Sequence, residues 1–230
     1  GKAVSKETKV DILVTPCLTI LSGMLLSAWL APALGKAAMK LGDIIIWGTE
    51  LQPFFMGMLV SLSVGMALTL PICAALGLTG LAGGAALAGC CAQMVGFAFM
   101  SFPENGWGGL ISQGLGTSML QMGNIVKNPR IWIAPCLVSV ITGPIATCIF
   151  KLRMNGAAVS SGMGTCGLVG PIGVYTGWIQ DISNGGKTGI SAFDWAGLLF
   201  ICLILPAFLT PLINTLCIRF GWVKRGDMKL

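Results

Sequence analysis

The residues best equipped for chemistry in this chain lie between positions 104 and 124. Glu104, Asn105, Ser112, Gln113, Thr117, Ser118, Gln121 and Asn124 stand among Gly106, Gly108, Gly109, Gly114, Gly116 and Gly123. Gln113, Thr117, Gln121 and Asn124 follow one another at intervals of four, four and three, the spacing of one helical face. Such a face offers amide and hydroxyl donors and acceptors without formal charge, which suits a hydroxyl-rich neutral solute such as a sugar. A carboxylate such as Glu104 or Glu50 accepts paired hydrogen bonds from hydroxyls. A second role is open to the same groups, that of capping half-helices and bonding the backbone freed there. Gln93, alone in an apolar run, reads as an interhelical hydrogen-bonding residue.

A second stretch, 155–178, has the same character, with Gly156, Gly162, Gly164, Gly167, Gly170, Gly173 and Gly177. The two stretches share a short pattern. Gly114-Leu115-Gly116-Thr117-Ser118 matches Gly162-Met163-Gly164-Thr165-Cys166, so that Thr165 corresponds to Thr117. Paired Gly-interrupted apolar segments mark solute sites in transporters, where broken helices free backbone groups at membrane depth. Other chemistries find little footing. There is no histidine, and no Cys-x-x-Cys pair for a metal. No Gly-Lys-Ser/Thr follows the glycines, as a phosphate-binding loop requires. No nucleophile is paired with a base. The expectation is a protein without catalytic residues, cofactor or metal.

The elements that must position these residues are membrane helices. Apolar residues make up 55% of the 230 and charged residues 10%, too few to cover a soluble globule. No Asp, Glu, Lys or Arg occurs from 52 to 103, from 131 to 150, or from 195 to 218. Regular crossings are expected at 12–34, 54–76, 78–100, 131–150 and 195–218, with an amphipathic interfacial helix over 35–50 and a polar connection over 179–194. Segments 104–126 and 155–178 are expected to be broken or re-entrant. The chain therefore reads as an all-α integral membrane protein, a single membrane domain over 1–230. Residues 1–50 hold the first crossing and the surface helix, and 51–230 form the solute-binding part.

Basic residues flank the apolar runs, which is a membrane pattern and excludes nucleic acid as a partner. Counting them by side favours both ends of the chain on the cytoplasmic face. The cysteines fall mostly within apolar runs and read as helix-packing residues.

Gln113-Gly114-Leu115-Gly116-Thr117-Ser118 running to Asn124 and Lys127-Asn128-Pro129-Arg130, then Gly156-Ala157-Ala158 to Gly170-Pro171-Ile172-Gly173, resembles the membrane component (enzyme IIC) of the bacterial sugar phosphotransferase system. More narrowly it resembles the stand-alone IIC-like branch that includes the perfringolysin regulator family. The resemblance implies a homodimer in the bacterial cytoplasmic (inner) membrane, in contact with lipid. It also implies a polar solute such as a sugar, a separate IIB protein as partner, and a substrate domain that moves like an elevator against a scaffold. The chain is shorter than a full IIC protein, which implies a further amino-terminal part. The Gly-Ile-Thr-Glu-Pro hairpin motif and the substrate-proximal histidine of many sugar-transporting IIC proteins do not occur here, nor do the IIA and IIB phosphoryl-transfer domains. On this scaffold a ligand sensor that does not transport, or a channel with a Gly-rich filter, is the alternative to a carrier.

Overall fold

The computed structural model of the chain describes residues 52–69, 78–186 and 189–230, together with Met24 and Trp47, both helical. The chain divides into two units, Gly1–Leu41 and Gly42–Leu230, and both Gly-rich segments belong to the second. Apart from Met24 and Trp47, the expected crossing at 12–34 and surface helix at 35–50 lie outside the described residues, as does the end of the crossing at 54–76.

Most of the described residues are helical, and no strand occurs among them. Helix α1 (Pro53–Thr69) opens on proline, whose missing N–H costs nothing in a first turn. Helix α2 (Gly80–Met100) is central and packs against α1, against α5 (Ile133–Pro144) and against α8 (Leu205–Arg219). Its small residues permit this. A Cβ on Gly89 would run into the Ser61 carbonyl of α1, and one on Gly84 into the Leu152 carbonyl, so the backbones meet with nothing between them.

Three described helical spans are long and apolar enough to cross a membrane: Gly80–Met100, Pro129–Ile149 and Ala192–Arg219. Two of them switch to a π-helical turn beside an internal proline. Ile145–Ile149 follows Pro144, and Phe200–Ile204 precedes Pro206, whose ring cannot donate to the carbonyl four residues back. Along the last span Ile204, Phe208, Leu212 and Leu216 are exposed at steps of four, and Phe208 keeps 75% of its surface open. An apolar stripe of that length requires lipid or protein cover rather than water. The chain is an all-α membrane protein.

The segment 104–126 is broken, as expected: α3 (Phe102–Ile111), a π-helical turn (Ser112–Gly116), a 3₁₀ turn (Ser118–Gln121) and α4 (Met122–Lys127). Segment 155–178 is only half so. It is irregular through the 3₁₀ turns Ala158–Gly162 and Cys166–Leu168, and from Val169 it becomes a regular helix, α6 (Val169–Ser183). This corrects the expectation of a broken stretch to 178 and of a polar connection from 179. Gly170, Gly173 and Gly177 lie on the face of α6 that packs against Gly164, Ser160 and Asn155–Gly156, so these glycines serve close packing within a helix. Helix α7 (Ala192–Leu199) starts earlier than the expected 195, because Ser191 and Asp194 form a capping box.

Among the described residues the core holds two buried apolar clusters. One gathers Leu87, Cys91, Met154, Val174, Trp178 and Ile201. The other gathers Phe97, Met100, Ile125, Ile131 and Cys217 with Val223 and Met228, residues that follow the last helix.

Candidate functional site

Helix α3 starts at the end of α2, with proline in its first turn and Glu104 beside it. Gly106 then takes φ 58° and ψ −155°, a conformation open to glycine almost alone, and the helix changes direction there. The next break is at Thr117, whose backbone is extended (φ −158°, ψ 142°). Its Oγ1 accepts the Met119 N–H at 3.2 Å and so caps the following turn.

Gln113, Thr117, Gln121 and Asn124 therefore do not share one helical face. Thr117 leaves the set and works as a cap. The other three meet because the break folds the chain back on itself. Gln121 Nε2 donates to Gln113 Oε1 at 3.1 Å, and Asn124 Nδ2 donates to Gln121 Oε1 at 2.8 Å. Gln113 Nε2 donates to Ser101 Oγ at 2.8 Å and to the Gly109 carbonyl at 3.2 Å. Gln113 and Gln121 are fully buried. Their amides are satisfied within the protein, as buried polar groups must be.

The network continues onto residues 221–230, here called the strap. Glu104 accepts the Gly226 N–H on Oε1 at 2.7 Å and the Met228 N–H on Oε2 at 2.9 Å. Asn105 donates to the Met228 carbonyl at 2.8 Å and accepts the Leu230 N–H at 2.9 Å. Gln121 also donates to the Met228 carbonyl (2.9 Å), and Asn124 to the Lys229 carbonyl (3.0 Å). Val223 and Met228 sink into the apolar cluster below. Asn128 donates to Asp227 Oδ2 at 2.8 Å and to the Trp222 carbonyl at 3.3 Å. Five side chains thus hold a turn-rich peptide segment by its backbone N–H and C=O groups. Asn128 and the strap itself were missed at the sequence level, since pairings across about a hundred positions leave no periodic signal.

Thr165 stands elsewhere in the site, at the junction of the two repeated motifs. Its Oγ1 donates to the Gly114 carbonyl at 2.6 Å. Gly164 before it takes φ 55° and lies so near α2 that a Cβ would sit 2.9 Å from the Cys90 Cβ. The two Gly-x-Gly-Thr stretches meet at this bond, where the turn Ser112–Gly116 packs against the turn Cys166–Leu168. Apolar grooves of about 310 and 240 Å³ flank Thr165, and both are lined by Leu168 and Leu203 as well.

Gln93 has the interhelical role expected of it. Fully buried in α2, it accepts the Trp132 indole N–H at 3.0 Å and the Thr69 hydroxyl at 3.4 Å, and donates to Ser139 Oγ at 3.5 Å. Asp181 accepts from Asn155 Nδ2 at 2.7 Å on the surface of α6.

Helices of membrane-crossing length, with two mutually contacting broken segments that carry amides and hydroxyls, are an arrangement that membrane solute carriers use. The family described as "Phosphotransferase system, EIIC" matches residues 1–230, the whole chain. The chain belongs to that family and is a membrane transport component of a phosphotransferase system. Comparisons with curated proteins and with solved structures give no match.

Proposed function

We propose that the chain is the permease part of a sugar phosphotransferase system in the bacterial inner membrane. It carries a sugar or a similar polar metabolite by an elevator-like displacement of the part that holds the Gly-rich segments. It acts as a homodimer with a separate IIB protein. The observation that carries this reading is the junction of the two Gly-x-Gly-Thr stretches through Thr165 and Gly114, beside the amide cluster of Gln113, Gln121 and Asn124. Glu104, Asn105, Gln113, Thr117, Gln121, Asn124 and Thr165 are the solute-binding residues. Peptide N–H and C=O groups of the strap satisfy four of these side chains. Sugar hydroxyls present the same alternation of donor and acceptor, so the solute takes the strap's place when the strap withdraws.

The strap also favours a second reading, a sensor in which solute displaces residues 226–230 and the freed segment signals without net transport. Proteoliposome uptake of radiolabelled sugars, with and without a phosphorylated IIB protein, separates the two. The carrier predicts saturable uptake that falls at least about tenfold in Gln113→Ala and Thr165→Val, the loss of one or two hydrogen bonds. Saturable binding of a sugar with no uptake under either condition would favour the sensor.

A further inference from the structure

The strap forms one wall of a cavity that the hydrogen-bond network leaves unused. About 640 Å³ lies between the end of α2, the start of α3, one face of α8 and the strap. From α8, Pro211, Asn214, Thr215, Ile218 and Arg219 reach it at intervals that fall on a single helical face. Glu104 and Arg225 reach it from α3 and from the strap.

Two features of the lining have no use in the fold. Asn214 is 4% exposed and its Oδ1 has no hydrogen-bond partner. A buried acceptor left unpaired is rare in folded proteins and calls for a donor. Arg219 and Arg225 have no ion-pair partner among the described residues. Glu104, the one carboxylate in the lining, already accepts two backbone N–H groups. Two guanidinium groups against one carboxylate leave the cavity net positive. Its apolar walls, Phe99, Met100 and Ile218, strengthen that field by excluding water.

We propose that this cavity binds an organic phosphate that carries free hydroxyl groups. The phosphate lies on Arg219 and Arg225, whose planar forks suit its oxygens, and a hydroxyl donates to Asn214 Oδ1. The volume is in the range of small-ligand sites. Arg219 belongs to α8 and Arg225 to the strap, so the ligand ties one to the other. The chemistry has two sources, a soluble glycerol phosphate or the glycerol phosphate headgroup of a lipid.

Binding is measured on the detergent-solubilised chain, where nothing is transported, so its outcome is separate from that of the uptake assays. Calorimetric titration with glycerol 3-phosphate tests the soluble source, with inorganic phosphate and glycerol as references. Nanodiscs of phosphatidylcholine, with or without phosphatidylglycerol, test the lipid source by the thermal midpoint. Arg219→Gln and Arg225→Gln, both at exposed positions, each weaken the interaction about tenfold or more, the loss of one charge-assisted contact. Lysine at either position restores part of it. Asn214→Leu weakens glycerol 3-phosphate but leaves inorganic phosphate unchanged. An arginine-dependent effect from either source supports the site and identifies which source fills it. The proposal is overturned if glycerol 3-phosphate fails to bind at millimolar concentration and phosphatidylglycerol does not raise the midpoint. It is also overturned if whatever binds is indifferent to both arginine substitutions.

Discussion

Glu104→Gln is the most informative single change, because it alters one side chain that holds two points of the strap. The wild-type carboxylate receives N–H groups from Gly226 and Met228, one on each oxygen, at 2.7 and 2.9 Å. Hydrogen bonds to a charged group are worth about 1.5–3 kcal/mol each, and partial exposure of Glu104 places it at the lower end. Glutamine keeps one acceptor oxygen and turns an NH₂ toward the other backbone N–H. One bond is lost, and the survivor loses its charge assistance. The sum is about 2 kcal/mol of strap docking, close to a thirtyfold rise in the open population.

Amide hydrogen exchange reads that population directly, since local opening exposes the N–H groups to solvent. Peptides covering 220–230 are predicted to exchange about thirtyfold faster in Glu104→Gln than in the wild type. Val174, in the other apolar cluster, is predicted to keep its protection. Unchanged exchange at Gly226 and Met228 would refute the clamp. A uniform acceleration along the chain would mean that Glu104 supports the whole fold rather than the strap.

Further changes probe the remaining contacts. Gln93→Leu leaves the Trp132 indole N–H without its 3.0 Å partner and should cost about 1–3 kcal/mol in denaturation; adding Trp132→Phe should recover part of that, whereas strict additivity would show that the two are uncoupled. Met228→Ala removes a fully buried anchor at about 2–5 kcal/mol, and trypsin should then cut the strap at Lys224 and Arg225 faster than in the wild type. Gly164→Ala forces a side chain into positive φ and against Cys90; a loss of about 1–3 kcal/mol is expected, and a wild-type thermal midpoint in detergent would contradict the junction as described.

The features legible in the sequence are those set by local composition. Lipid cover follows from long charge-free runs, and broken backbone at 104–126 follows from glycine among amides. Gln93 announced its interhelical role because a lone amide in an apolar helix has few other ways to be satisfied. The expectation of a polar connection over 179–194 left out the capping box of Ser191 and Asp194, although Ser-x-x-Asp before an apolar run marks the start of α7 better than the apolar run itself does. The glycines of 155–178 misled for a physical reason. Glycine breaks a helix when it takes positive φ, as at Gly164 and Gly167, and lets a helix pack closely when it does not, as at Gly170, Gly173 and Gly177. Composition does not distinguish the two uses. The spacing of three and four within 170–177 is the cue that does.

The amide cluster exposes a different limit. Its residues were found by helical spacing, yet Thr117 interrupts the helix on which that spacing depends. Gln113, Gln121 and Asn124 meet all the same, because the break that ruins the periodicity also folds their side chains together. Unpaired polar groups at membrane depth are costly wherever they point, so the fold brings such groups together by whatever backbone path is available. The strap follows from the same pressure. Glu104 and Asn105 need donors and acceptors, and residues 226–230 supply both from backbone. A polar cluster of this kind binds whatever offers the matching alternation of N–H or O–H with oxygen. Its own chain is one such ligand; under the function proposed above a hydroxylated solute is another, and release of the strap and entry of that solute would be two sides of one exchange.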